Sequence, residues 1–65
     1  MEIADVKRNL NKPVLYGGHG YTFTGCMLRR GETEFYYQAE LYDKDARAVI
    51  ICRLEDVKHE QNADV

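Results

Sequence analysis

A chain of 65 residues makes one small domain, and at that size only about 60% of the surface exposed by the unfolded chain is buried, so its own core is thin. Hydrophobic residues at 45% and charged residues at 31% exclude global disorder. Nine basic against 11 acidic side chains, a formal net charge of -2, exclude a global pull toward nucleic acid or an anionic membrane; such binding would need a local patch. Two cysteines, Cys26 and Cys52, are too few and too far apart for a disulfide scaffold, and residues 1–5 carry no apolar leader. Two reduced core thiols in a cytoplasmic protein are therefore expected. The longest wholly apolar run, 48–52, is far too short to cross a bilayer.

In chain order, Ile3, Val6 and Leu10 line one stripe of a helix of about two turns, with Lys7 and Arg8 facing solvent and Asp5 favouring the start. Asn11 and Pro13 end it. Such a short helix needs something to pack on, and it is expected to lie as a lid on a sheet. Val14, Leu15 and Tyr16 read as a first strand, with 17–20 (Gly-Gly-His-Gly) as a hairpin loop. A phosphate-cradling role for this loop would require a helix after it, and Tyr21 onward is strand-like. In the second strand, from Tyr21 to about Arg30, Tyr21 and Phe23 have one parity while Cys26 and Leu28 have the other. A bulge at or beside Gly25 would bring both halves to one inward face.

The central strand, 34–43, alternates Phe35, Tyr37, Ala39 and Leu41 with Tyr36, Gln38, Glu40 and Tyr42, giving one dry face. After a turn around Lys44 and Asp45, pairing Tyr42 with Arg47 sets Leu41 against Ala48, Ala39 against Ile50, Tyr37 against Cys52 and Phe35 against Leu54. A slip of one residue would bring Arg47 and Arg53 to the buried side, an unfavourable place for isolated charges. This register also predicts two outer cation–π pairs, Tyr42 with Arg47 and Tyr36 with Arg53. Leu54, Glu55, Asp56 and Val57 form a short turn that can return Val57 as a last strand, and 59–65 is expected to be a disordered tail after a single domain over 1–58. The fold class is mainly β, a small α+β chain: a short N-terminal helix plus a meander of four to five antiparallel strands closing into an SH3-like barrel or half-barrel.

The segments Pro13-Val14-Leu15-Tyr16, Tyr21-Thr22-Phe23-Thr24-Gly25, Phe35-Tyr36-Tyr37-Gln38-Ala39-Glu40-Leu41 and Cys52-Arg53-Leu54-Glu55-Asp56-Val57 resemble short uncharacterised proteins carried on bacterial phage and conjugative elements. The ending Leu-Glu-Asp-Val is similar to that of SH3-like barrels. The first resemblance spans nearly the whole chain and implies no activity; the second implies architecture alone.

No cofactor or metal is expected, and no enzyme. His19, His59, Cys26 and Cys52 lack the close spacing of zinc ligands, and core thiols with solvated histidines account for them. Neither cysteine lies among cations or at a helix start, so nothing in the sequence makes a reactive thiolate. Glu55 and Asp56 read as a solvated acidic turn. Val49 and Ile51 are left outward between Tyr36 and Tyr42, covered either by the helix stripe or by a partner. The candidate partner-binding face is Tyr36, Tyr42, Arg47, Val49, Ile51 and Arg53, an aromatic and aliphatic patch with a polar rim, suited to another protein or to a second copy as a homodimer. The alternative is a nucleic-acid-binding small barrel that stacks bases on Tyr36 and Tyr42 and uses Arg29, Arg30, Arg47 and Arg53. Glu34, Glu40, Asp43 and Asp45 interleave that surface and weigh against a polyanion.

Overall fold

The computed structural model describes residues 1–60. A 3-10 turn (Ile3–Asp5) runs into a four-residue helix α1 (Val6–Asn9), followed by β1 (Pro13–Tyr16), β2 (His19–Arg30), β3 (Phe35–Asp43), β4 (Ala48–Arg53), a second 3-10 turn (Leu54–Asp56) and β5 (Lys58–His59). The strands form one antiparallel sheet in the order β4-β3-β2-β1-β5. It is an open meander whose last strand returns to the first, a half-barrel with β4 and β5 at its edges.

The helix is shorter than its apolar stripe implied. Asn11 takes a left-handed conformation (φ 64), and the backbones of Asn11 and Lys12 bond to Phe23 of β2, so the chain has left the helix before Leu10 can join its stripe. Val6 and Met1 pack on the core; Ile3 and Leu10 stay exposed. The first hairpin is also tighter than expected. Tyr16 pairs with His19, leaving only Gly17 and Gly18 as the turn, both at positive φ (60 and 84) as a two-residue hairpin requires.

The bulge falls where the parity change places it. Phe23 pairs with Leu41 and Gly25 with Glu40, so Thr24 is the extra residue. Its hydroxyl donates to the Glu40 carbonyl oxygen at 3.0 Å and to Glu40 Oε2 at 3.1 Å. Both halves of β2 thus turn one face inward. Phe23 and Leu41, directly opposite and fully buried, centre a core that also holds Val14, Ala39, Cys52, Leu54 and Val57. Full burial of side chains like Phe23 and Leu41 is worth about 1.5–3 kcal/mol each.

The β3–β4 register differs from the expected one by two residues. Asp43 pairs with Ala48, Leu41 with Ile50 and Ala39 with Cys52. The loop explains the slip. The Asp43 carboxylate accepts from the amides of Asp45 (3.0 Å) and Ala46 (3.2 Å), and Arg47 closes the turn at φ 55, so Arg47 belongs to the loop and not to the strand. A slip of two preserves which face each side chain takes. It also ends β4 at Arg53, opposite Gln38, so Phe35 and Tyr37 lose the inward partners expected for them and remain exposed. Leu54, which opens the second 3-10 turn, and Val57, which follows it, are buried, and β5 pairs with β1 through Val14–His59 and Leu15–Lys58. His59 is therefore part of the sheet and not of the expected tail; 61–65 lie outside the described residues.

Candidate functional site

The outer face of the sheet is built in rows by strand pairing. Val49 lies beside Tyr42, which lies beside Thr22; Ile51 beside Glu40 beside Gly25; Arg53 beside Gln38 beside Met27; and Tyr36 beside Arg29. On this face Val49 is 54% and Ile51 47% exposed, while Tyr36 and Tyr42 are half-buried. The helix packs on the opposite side through Met1 and Val6 and does not cover them.

Five of the six expected residues share this face, and Arg47 does not. Its place in the loop removes the predicted pair with Tyr42, whose neighbour is Val49. The second cation–π pair forms by a different route. Arg53 pairs directly with Gln38 and reaches diagonally to set its guanidinium carbon 4.4 Å from the centre of the Tyr36 ring. Glu55 Oε2 lies 4.0 Å from the same guanidinium. Arg53 is therefore already engaged, and Glu40, held by the Thr24 hydroxyl, places a carboxylate in the middle of the face. Of the two arginines at the far end of β2, Arg29 lies beside Tyr36 on this surface, whereas Arg30, opposite Phe35, belongs to the other face.

The concave face offers no reactive centre from its thiols. Cys26 and Cys52 both pair with Ala39, from opposite sides, which puts them about two strand spacings (~10 Å) apart, beyond the reach of a disulfide. Burial pushes both thiols up, and for Cys52 the Asp56 carboxylate adds to it. A raised thiol is less nucleophilic at neutral pH. His59 Nε2 lies 3.8 Å from Asp5 Oδ2, and the Arg8 guanidinium contacts the other oxygen of the same carboxylate. Among the described residues no group of three His, Cys, Asp or Glu side chains is placed to hold a metal, and no helix is long and apolar enough to cross a membrane.

A second exposed apolar group was not foreseen: Leu28 (58% exposed), Phe35 (65%) and Tyr37 (38%) on the core-side face at the far end of the β2–β3 hairpin. The signal lay in strand lengths. A twelve-residue β2 and a nine-residue β3 outrun a six-residue β4. Comparison with protein-family models, curated proteins and solved structures finds no match for this chain.

Proposed function

We propose that this protein is a non-enzymatic interaction module that binds a protein partner, another chain or its own copy, through the outer face of the β3–β4 hairpin. The observation that carries the reading is the pair of β-branched residues Val49 and Ile51, about half exposed on an open edge strand beside Tyr42. An edge strand carries unpaired backbone groups that template pairing with another chain, and β4 has neither a proline nor a lysine to discourage it. The Arg53–Tyr36 stack supplies a polar margin, and Glu40, held by the Thr24 hydroxyl, is a polar group within the face. As a setting we propose the cytoplasm of a bacterium carrying a phage or conjugative element, where a small module acts by contact and without a cofactor.

Nucleic acid is the runner-up, supported by Arg29 beside Tyr36 and opposed by the central Glu40. Replacing Val49 by Thr and Ile51 by Lys together tests the choice. Because both side chains are already half in water, the unfolding free energy should fall by less than about 1.5 kcal/mol, and the variant should keep its β circular dichroism. A loss of 3 kcal/mol or more would make the face structural. Oligonucleotide binding at physiological salt that weakens steeply with added salt and on Arg29→Glu would promote the runner-up.

A further inference from the structure

Beyond Phe23 β2 has no β1 partner, and before Gln38 β3 has no β4 partner, so residues 28–30 and 35–37 project as a two-stranded arm. An isolated two-stranded ribbon is marginal in water. Its core-side face carries Leu28 and Arg30 on β2, opposite Tyr37 and Phe35 on β3. Along the free edge of β3 runs a cleft bordered by residues 1–3, 34–37 and 53–55. Its apolar side chains include Ile3 (44% exposed), Phe35 and Tyr37, and its rim carries the carboxylates of Glu2, Glu34 and Glu55 against two cations that are both engaged, Arg53 close to Glu55 and the Met1 ammonium donating to the Leu54 and Val57 carbonyl oxygens.

From this we infer that the arm is a homodimerisation surface: Leu28 and Arg30 of one copy seat on the Ile3, Phe35 and Tyr37 surface of a second, with Arg30 meeting the carboxylates of its rim, and the second copy does the same in return. The occupant must bring an apolar group and a cation side by side, and the arm itself presents that pair next to the cleft that wants it. Donor and acceptor patches lie on adjoining strands of one face, which is the self-complementary arrangement of a two-fold interface. Exposed parts of Leu28, Phe35, Tyr37 and Ile3 amount to roughly 400 Å² of apolar surface per copy, judged from the 150–250 Å² that an aromatic side chain buries. Two copies thus bring about 800 Å² before the polar rim is added, and a specific interface needs about 1,200 Å² in total. This surface is separate from the Val49 and Ile51 face, and neither reading depends on the other.

The test is sedimentation equilibrium of the full chain, with circular dichroism to verify that each variant is folded. The wild type should be a dimer, with association weakened by salt. Arg30→Glu and the double change Glu2→Lys with Glu55→Lys should each raise the dissociation constant at least tenfold, and combining all three should restore it. The Val49→Thr, Ile51→Lys variant should dimerise like the wild type. A wild type that stays monomeric to millimolar concentration, an Arg30→Glu variant that dimerises unchanged, or a triple variant that is folded yet fails to recover overturns the inference. So does a dimer lost on changing Val49 and Ile51 but kept in Arg30→Glu, which would move association to the outer face.

Discussion

Cys52 and Cys26 illustrate how single residues here answer to burial and not to chemistry. Since burial lifts both thiols above their ordinary 9.0, the folded protein holds these protons more tightly than the unfolded chain does. The stability they contribute is fully present below pH 9 and is lost as the pH rises through the folded-state values. Urea unfolding followed from pH 7 to 10.5 should give a falling stability above pH 9 that is smaller in the Cys52→Ala variant, and alkylation of Cys52 in the folded protein at pH 7.5 should be slower than in urea. Equal alkylation rates would mean that the thiol is not sheltered. Gly18 is the other position where one residue decides. At φ 84 it has open space for a methyl group, so a substitution meets no neighbour and pays only for backbone conformation. Gly18→Ala should therefore cost about 1–2 kcal/mol, measured by the same unfolding, with no change in the spectrum of the folded state.

At the scale of elements the bulge at Thr24 sets the whole inward face. Deleting Thr24 would move Cys26 and Leu28 to the outer side of β2 or expel Phe23 from the core, since a one-residue slip exchanges the faces of everything beyond it. The deletion should abolish cooperative unfolding, whereas Thr24→Val keeps the bulge and loses the hydroxyl bonds to Glu40, at a cost of about 1 kcal/mol. If the deletion unfolds like the wild type, the bulge does not set the register. The bulge was legible in the sequence because Phe23 and Cys26 have opposite parity yet both belong to apolar runs. So were the strand order along the meander, the inward faces of Ala39 and Leu41 and the outward exposure of Val49 and Ile51. The β3–β4 register was not. Parity excludes a slip of one but is silent about a slip of two, and the choice rests on the Asp43 carboxylate capping the turn, a local bond that alternation does not encode. From that slip follow the loss of Arg47 from the face and the exposure of Phe35 and Tyr37. The short N-terminal helix was legible as well, but not its end before Leu10: the backbone bonds of Asn11 and Lys12 to Phe23 are long-range, and they override the spacing of Ile3, Val6 and Leu10.

At the largest scale, the described residues form a core of seven buried side chains under a sheet that is open at both edges and displays apolar groups on two sides. Small domains commonly make up such a shortfall with a staple or with a partner. Among the described residues the cysteines are free, and the proposed contact with another chain would add burial to this small core. The proposal of a protein and not a polyanion for the outer face rests on its electrostatics: Arg53 is occupied by Tyr36 and Glu55 while Glu40 stands at its centre. The most direct measurement places a photo-crosslinking phenylalanine derivative at Tyr42, beside Val49, and irradiates cells that express the protein, with position 7 as a control. The account predicts a discrete protein adduct at position 42, identified by peptide mass spectrometry, that is absent at position 7 and disappears when Val49 and Ile51 become Thr and Lys. A nucleic-acid adduct at position 42, or no adduct there beyond that of the control, would contradict it.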